Sequence, residues 1–422
     1  MKSNPPQLLR QIDLAIIGAG PHALTLVAHL LKKRQKIRSK IAVFDPSGGW
    51  MSQWKHQFAA LEIPHLRSPA VHHPDSNAFA LRKFAESRMN EFFPPYDLPG
   101  TGLFNDFCED VIRRWDLGNM VIPEKVTRIQ PLRNPLGSRF HLWLDSGKSI
   151  AARRVVLANG SSQLQIPDWV REVETEYPSD RLCHSHVVDL RKLHLAGERV
   201  LIIGGGLTSG HLASGAISRG GEVKITIRRQ LQEKIFDADA GWLGPKYLKG
   251  FFAESDFEKR FKMIQEARNG GSMTPEIVTQ LRKQVRNGRL FIQENTQVVK
   301  VEWEENRWLV KFSDGNREKF HRIWLSTGTR FDVSKEPLLK EVLEVYPIPV
   351  INGLPALDDS LRWCGCSLFI MGGLAALQIG PTARNLSGAR MASEKMLKAI
   401  IKSNVIRDRL KGHSSSEPAK IA

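Results

Sequence analysis

The sequence is short of cysteine, and this shortage excludes several kinds of site. Among the 422 residues the cysteines are Cys108, Cys183, Cys364 and Cys366. Four are too few for a disulfide framework in a chain of this length, and they lack the spacing of zinc ligands, so we predict no metal site. Cys364 and Cys366 form a C-x-C pair whose role the sequence leaves open.

A long apolar run and a signal peptide are also missing. The longest apolar stretch, residues 368–379, contains two glycines and a glutamine, and it is well short of the roughly 20 residues that cross a bilayer. Residues 1–10 contain several polar residues and two prolines, so we predict no signal peptide. We therefore expect a cytoplasmic protein without a transmembrane segment.

Acidic residues are outnumbered, since 44 Asp and Glu stand against 61 Lys and Arg, for a formal charge of +17. The basic residues occur in scattered pairs, such as Arg153-Arg154 and Arg228-Arg229, rather than in one run with interleaved aromatics. This pattern indicates a solvated basic surface and predicts no nucleic-acid partner. The apolar content of 41% and the length fit a folded protein of two or three domains and leave oligomerisation open.

A strand, a glycine turn and a helix are predicted near the start of the chain. The apolar strand covers residues 13–17 and the helix covers residues 24–33. Between them, Gly18 allows a tight turn, Gly20 lets the backbone approach a pyrophosphate, and Ala23 lets the helix pack closely on the strand. The N–H groups at the start of the helix then face the phosphates. This arrangement predicts a dinucleotide site.

The same plan recurs in the middle of the chain. A strand at residues 199–203 runs into Gly204 and Gly206, and a helix is predicted at residues 207–219. The second motif therefore predicts a second nucleotide site.

The two copies differ at the end of their next strand. The first copy ends this strand in Asp45, which can accept hydrogen bonds from both ribose hydroxyls of an adenosine. The second copy has Arg228 and Arg229 there. A carboxylate repels a 2′-phosphate, whereas a guanidinium binds it, so the first site is predicted to hold FAD and the second NADPH.

The duplication extends beyond the glycine motifs. A strand with a hairpin turn is predicted at residues 139–147 and again at residues 307–315. Each is followed by a strand that closes on a small-residue turn, at Gly160 and at Gly328, with the same spacing in both copies. The agreement of all these features between the two copies is hard to explain by chance.

The paired motifs resemble those of the two-dinucleotide-binding flavoproteins, which have the glutathione-reductase-like fold. The resemblance implies an α/β protein with two Rossmann-type three-layer ββα nucleotide-binding domains, the NADPH domain being inserted into the FAD domain. Residues 368–384 are similar to that family's last flavin-binding strand and helix. The N-terminus of this helix, at residues 380–382, is then expected to face the flavin. The predicted domains are residues 1–165 (FAD, first part), 166–330 (NADPH, with an insertion at 230–273), 331–410 (FAD, second part) and a disordered tail, 411–422.

Local motifs favour one branch of this fold. No cysteine pair lies where disulfide reductases carry theirs. Residues 48–50, Gly-Gly-Trp, together with Trp54 resemble a motif of flavin-dependent monooxygenases. Residues 66–84 resemble a segment of the lysine and ornithine N-hydroxylases, although Ser68 replaces the aspartate expected there. Residues 183–185 resemble the His-Ser linker of flavin monooxygenases.

The motifs and the resemblance together give a set of cofactor residues. For FAD they are Gly18, Gly20, Pro21, His22, Asp45, Trp50, Trp54, Val126, Gly160, Gly380, Pro381 and Thr382. For NADPH they are Gly204, Gly206, Leu207, Thr208, Ser209, Arg228, Arg229 and Gly328.

Substrate and flavin-lining residues are predicted from loops. His65, Arg67 and Ser68 follow the tryptophan loop and are candidates for lining the flavin. Within the insertion, Asp237, Asp239 and Trp242 are gathered with glycines as in binding loops, and the two aspartates could hold a cationic amine.

The implied reaction uses a small-molecule substrate and dioxygen. In such monooxygenases NADPH reduces the flavin, and a hydroperoxyflavin then oxygenates a nitrogen or sulfur nucleophile, such as an amino-acid side-chain amine. Two alternatives remain open: an NADPH dehydrogenase that passes electrons to a quinone or other acceptor, and a flavin-bound regulatory protein without turnover. The tryptophan loop favours oxygenation over simple electron transfer.

Overall fold

A computed structural model describes residues 11–132 and 139–412 of the chain. Its strands, in chain order, are β1 (Gln11–Ile17), β2 (Ile41–Phe44), β3 (Phe92–Phe93), β4 (Leu98–Pro99), β5 (Val121–Ile122), β6 (Val126–Leu132), β7 (Arg139–Leu144), β8 (Ser149–Leu157), β9 (Gln163–Leu164), β10 (Leu182–His184), β11 (Arg199–Ile203), β12 (Glu222–Thr226), β13 (Leu290–Gln293), β14 (Val298–Glu304), β15 (Arg307–Phe312), β16 (Arg317–Phe320), β17 (Arg322–Leu325), β18 (Thr329–Arg330), β19 (Val350–Ile351), β20 (Leu354–Pro355) and β21 (Leu368–Ile370).

The α-helices connect these strands and cover their faces. They are α1 (Pro21–Lys33), α2 (Ser52–Ala60), α3 (Ala80–Phe84), α4 (Thr101–Arg114), α5 (Leu207–Ser218), α6 (Pro245–Ala253), α7 (Phe257–Arg268), α8 (Pro275–Arg286), α9 (Lys340–Val345), α10 (Ala376–Ile379) and α11 (Leu386–Gly412). In the described part of the chain, no helix is both long enough and apolar enough to span a membrane.

The first sheet holds the first glycine motif at its centre. Strand β1 pairs in parallel with β2 and β8, and β2 pairs in parallel with β5. The hairpin strands β6 and β7 continue the sheet in antiparallel fashion from β8. Residues 14–17 of β1 and all of β2 are continuous buried apolar runs, as expected of a parallel sheet covered on both faces.

The second sheet repeats this plan. Its strands follow the order β10-β17-β11-β12-β13 and are parallel throughout, so β11 carries the second glycine motif into the centre. A separate antiparallel sheet, β14-β15-β16, corresponds to the hairpin of the first copy.

The chain returns to the first sheet after completing the second. Strand β21 pairs in parallel with β8, so that Leu368 lies opposite Val155. The second unit is therefore inserted into the first, and the predicted fold class is confirmed. The exact domain boundaries stay a prediction. The predicted tail, 411–422, lies outside the described residues apart from its first two positions, which continue α11.

The insertion at residues 230–273, predicted within the NADPH-domain segment, also packs on the first unit. Trp242 and Phe251 are buried in the core of the first unit. Arg260 of α7 also donates hydrogen bonds to the carbonyl of Leu377 at 3.0 Å. Because the insertion bridges the two units, it forms part of the cleft between them.

Candidate active site

The first glycine motif leaves space for a nucleotide. Gly18 adopts a φ of +99°, and a Cβ there would lie 2.7 Å from the carbonyl oxygen of Ala158, so only glycine fits this crossing of β1 and β8. At Gly20, by contrast, no atom lies within 4 Å of an ideal Cβ. The backbone is therefore open on the side where a pyrophosphate would approach, next to the first turn of α1.

Asp45 is held beside this opening. Its Oδ2 accepts a hydrogen bond from the Ala19 N–H at 3.0 Å, and its Oδ1 accepts one from the Ser47 N–H at 3.0 Å. Oδ1 also accepts a hydrogen bond from the Ser47 hydroxyl at 2.6 Å. These bonds fix the carboxylate against the glycine turn, and Oδ2 has a second lone pair to offer to a ribose hydroxyl. The geometry fits an adenosine end of FAD at this position.

The tryptophan loop has one buried and one lining side chain. Trp50 is buried and donates its Nε1–H to the carbonyl of Leu117 at 3.0 Å, so it anchors the loop in the core. Met51 ties the loop to the glycine turn through its N–H and the Ala19 carbonyl, 2.8 Å apart. Trp54 stacks on Phe58 with ring centroids 3.8 Å apart and lines a cavity.

This cavity, which we call the front cavity, encloses about 230 Å³ next to the start of α1. It gathers residues from four segments that are far apart in the sequence. The lining residues are Pro21, His22, Trp54, Phe58, Leu66, Arg67, Ser68, Pro69, His72, Phe236, Asp237, Ala238, Leu243, Thr382, Arg384, Asn385, Leu386 and Ser387. The predicted residues Pro21, His22, Trp54, Arg67, Ser68, Asp237 and Thr382 are therefore brought together.

The histidines of the front cavity are uncharged at neutral pH. Burial lowers the pKa of His22, although its Nε2 lies 3.0 Å from the Ala383 carbonyl. Burial and the positive charge of Arg390 lower the pKa of His72 to about 4. The hydroxyl of Thr382 is buried and has no hydrogen-bond partner among the described residues. Uncharged histidines and an unpartnered hydroxyl are groups that can form hydrogen bonds with the polar atoms of a bound flavin.

The turn that contains Thr382 is not the start of a helix. The predicted helix start at residues 380–382 is wrong, because Gly380 has a φ of +97° and ends α10, and the long helix α11 begins at Leu386. Residues 380–382 instead form a turn between α10 and α11, and this turn lines the front cavity through Thr382.

Two other predicted lining residues have structural partners. His65 does not line the front cavity; it stacks on Phe93 and places its Nε2 2.9 Å from the carboxylate of Glu276 on α8. Arg67 spans the cleft and donates to the carbonyl of Ile235 at 2.8 Å and to Oδ1 of Asp237 at 2.7 Å. Both residues therefore join the first unit to the second.

The second glycine motif is covered, unlike the first. Gly204 has a φ of +136° and repeats the tight turn of the first copy. Gly206, however, faces Gly271: an ideal Cβ on Gly271 would lie only 2.9 Å from the Cα of Gly206. We call residues 269–272 the cover loop. It occupies the side of Gly206 from which a pyrophosphate would approach.

The two predicted 2′-phosphate ligands are not equivalent. Arg228 is exposed at the end of β12. Arg229 donates to the carbonyl of Gly271 at 3.1 Å and to Asn269 at 3.4 Å, so it holds the cover loop in place. Leu207, Thr208 and Ser209 begin α5 beneath this loop, and the hydroxyl of Ser209 is buried without a partner among the described residues.

The remaining predicted residues lie at the edges of the site. Gly160 and Gly328 have φ values of +70° and +79° and form the turns between the units, where His184 Nε2 lies 3.2 Å from the Gly328 carbonyl. Val126 is buried at the start of β6. Cys364 is exposed, and burial raises the pKa of Cys366 to about 11, so Cys366 is not a reactive thiolate at neutral pH.

The predicted substrate carboxylates are already engaged. Asp237 accepts hydrogen bonds from Arg67 at 2.7 Å and from Arg268 at 3.1 Å. Burial alone would raise the pKa of Asp237, but the two guanidiniums lower it. Asp239 is exposed and caps a short helical turn by accepting from the Gly241 N–H at 2.7 Å. Trp242 packs in the core rather than in the cavity.

A second cavity and its arginine were missed by the sequence analysis. This cavity, which we call the rear cavity, encloses about 420 Å³ behind the turn at residues 381–384. Arg384 lines both cavities. Arg384 is exposed to solvent in this cleft. The only sequence signal was its place beside the predicted flavin-binding turn.

Comparisons with known proteins agree with this geometry. Residues 15–162 match a family model described as FAD-NAD(P)-binding. No curated protein matches the sequence. Among solved structures, the ornithine N-hydroxylase of Kutzneria sp. 744, with reduced FAD, NADP⁺ and L-ornithine, is 15% identical with a TM-score of 0.76, covering 93% of this chain and 100% of that chain.

Two further structures have the same architecture. The reduced ornithine hydroxylase of Pseudomonas aeruginosa is 16% identical with a TM-score of 0.74, covering 93% of this chain and 99% of that chain. The L-lysine 6-monooxygenase of Pseudomonas syringae is 18% identical with a TM-score of 0.71 and the same two coverages, 93% and 99%. At these identities the likeness shows the fold. The chain thus matches an FAD-NAD(P)-binding family model over part of its length and has the two-dinucleotide-binding flavoprotein fold that its motifs predicted.

Proposed function

We propose that the protein is an FAD- and NADPH-dependent monooxygenase that oxygenates a nitrogen or sulfur nucleophile. The observation that carries the proposal is the pairing of two glycine motifs, one followed by Asp45 and the other by Arg228, across a cleft lined by Trp54. Solved structures that share the fold over nearly their whole length are ornithine and lysine hydroxylases, which supports this reaction class.

Particular residues of the chain would bind each part of the two nucleotides. Gly20 and the start of α1 would hold the FAD pyrophosphate, and Asp45 would hold its ribose. Arg228 would bind the 2′-phosphate of NADPH. When bound, FAD supplies the chemistry, accepting hydride and activating dioxygen. Trp54 and Phe58 would form an apolar wall that keeps water from the reacting centre.

The test is to reduce the purified protein with NADPH without oxygen and then to mix it rapidly with dioxygen. The reduced flavin of a monooxygenase should reoxidise in two phases, with the slower phase prolonged by NADP⁺. The enzyme should release little hydrogen peroxide. Trp54→Ala should raise peroxide release per NADPH consumed, because it opens the apolar wall to water. Trp303→Ala, in the second unit, is the matched control.

A plain NADPH dehydrogenase would give a different result. Its reoxidation should occur in one phase at any NADP⁺ concentration, and Trp54→Ala should then have no effect on peroxide yield. That outcome would remove the monooxygenase proposal.

A second candidate is favoured by the cover loop. A flavin-bound regulatory protein without turnover needs no second nucleotide, and Gly271 lies over Gly206 where that nucleotide would bind. Reduction by NADPH separates the two candidates. The regulator should be reduced negligibly at saturating NADPH, whereas the monooxygenase should be reduced within its turnover time.

A further inference from the structure

Three arginines surround one carboxylate where the front and rear cavities meet. Asp237 is hydrogen-bonded by Arg67 and Arg268, and Arg384 is the third cation acting on it. In the described ranges, no acceptor group forms a hydrogen bond or an ion pair with Arg384. The cluster therefore carries excess positive charge, and its third arginine, Arg384, is exposed to the solvent of the cleft.

Arg67 and Arg268 have other acceptors, and Arg384 does not. Arg67 also donates to Ser272 Oγ at 2.9 Å, and Arg268 donates to the Pro381 carbonyl at 2.7 Å. These two side chains are thus held in place on both sides of Asp237. The guanidinium of Arg384 keeps its donors available to a ligand in either cavity.

The rear cavity has the same electrostatic character. Arg268, Arg330 and Arg384 line it, and no carboxylate does so among the described residues. Gln165 and Gln265 add amide groups, and the remaining walls are largely apolar. A cationic amine placed here would meet repulsion on several sides, whereas an anionic group would find both charge and hydrogen-bond donors.

We propose that the substrate carries an anionic group, a carboxylate in the simplest case, which Arg384 binds at the junction of the two cavities. This inference rests on the proposed function, since it names the substrate class of the same site. It replaces the expectation that Asp237 holds a cationic amine. The planar guanidinium can bind a carboxylate through two parallel hydrogen bonds, which fixes the ligand's orientation as well as its charge.

The test measures binding to the oxidised FAD-loaded protein without NADPH, at constant ionic strength and in a carboxylate-free buffer. Pentanoate, pentan-1-ol and pentylamine serve as probes of equal chain length, titrated by calorimetry. We expect pentanoate to bind most tightly and pentylamine most weakly. Arg384→Gln should weaken pentanoate about tenfold or more while leaving pentan-1-ol unchanged, since a hydrogen bond to a charged group is lost. Arg384→Lys should lose less, and Arg286→Gln, on the exposed end of α8, should lose nothing.

Three results would overturn the proposal. The first is tighter binding of pentylamine than of pentanoate. The second is an equal loss of pentanoate and pentan-1-ol affinity in Arg384→Gln. The third is unchanged pentanoate binding in Arg384→Gln; a shifted flavin midpoint potential in the same variant would then assign Arg384 to the cofactor. Because the binding assay requires neither reaction with oxygen nor NADPH, failure of the monooxygenase test would not produce any of these three results.

Discussion

The two glycine motifs have the same backbone plan and opposite accessibility. Above Gly20 no atom lies within 4 Å of an ideal Cβ, whereas above Gly206 the Cα of Gly271 lies at 3.7 Å. The first motif is thus open to a pyrophosphate, and the second is closed by the cover loop. The charged residues that follow the next strand of each copy differ in a parallel way. Asp45 is hydrogen-bonded to the turn of its own glycine motif, whereas Arg229 is hydrogen-bonded to the cover loop.

This difference suggests how the two nucleotides are used. A permanently bound cofactor needs an open and prearranged cradle, which the first motif offers. A nucleotide that enters and leaves in each turnover can be coupled to a moving loop. Arg67 contacts Ser272 of the cover loop and also lines the front cavity. Movement of the cover loop would therefore change the position of Arg67 in the front cavity.

The largest expected effect is at the open motif. Gly20 has φ −79° and ψ −172°, which valine also adopts, so Gly20→Val should fold normally. Its side chain would fill the space of the pyrophosphate, and we expect essentially complete loss of FAD, measured as flavin absorbance per protein. Gly102→Val on α4, also free of neighbours, is the control. Full flavin occupancy in Gly20→Val would mean that FAD does not bind at this motif.

A smaller effect distinguishes the two arginines of the second motif. Arg228→Ala should weaken NADPH about tenfold to a hundredfold and NADH hardly at all, because only NADPH carries the 2′-phosphate. Arg229→Ala should change both nucleotides equally, since it acts through the cover loop. Dissociation constants from flavin fluorescence would measure this. Equal losses for both nucleotides in Arg228→Ala would assign that residue a structural role instead.

Much of the fold could be predicted because its signals are local. Gly18, Gly20 and Asp45 lie within one strand-helix-strand unit, and the repeat of this unit at Gly204 predicts the architecture from local sequence alone. The matching turns at Gly160 and Gly328 likewise reflect local backbone conformation. Periodicity and turn chemistry are sufficient at this range.

The site was less predictable because its side chains meet across long sequence separations. Arg67 pairs with Asp237, 170 residues away, and no local pattern shows that this removes the aspartate from amine binding. The burial of Trp50 and the exposure of Trp54 to the cavity also depend on how α2 packs. Gly271 carried no motif that would place it over Gly206.

The cover loop itself can be tested by crowding it. Gly271→Ala would bring a Cβ to 2.9 Å from the Gly206 backbone, which disfavours the closed loop. If the loop competes with the nucleotide, the open fraction rises and NADP⁺ should bind several-fold more tightly. Gly250→Ala on α6, with no neighbour near its Cβ, is the control. Weaker NADP⁺ binding at an unchanged melting temperature would show that the loop is a wall of the site.

The smallest effect concerns one of the ion pairs that join the two units. Arg219 at the end of α5 donates to both oxygens of Glu62, at 2.7 and 2.9 Å, but the Glu62 side chain is 45% exposed. Exposed pairs contribute little, so a double-mutant cycle of Glu62→Gln and Arg219→Gln should give a coupling energy below about 1 kcal/mol in urea unfolding.

The pH dependence of this coupling has a definite sign. The hydrogen bonds from Arg219 lower the pKa of Glu62 below its ordinary value of 4.5. The stabilisation is therefore complete above that ordinary value and disappears as the pH falls through the lowered one, where Glu62 becomes protonated in the folded state. The coupling should be constant from neutral pH down to about pH 5 and fall below it. A coupling above about 2 kcal/mol, or one that grows as the pH falls, would contradict the assignment of this ion pair as an exposed, weakly stabilising contact between the two units.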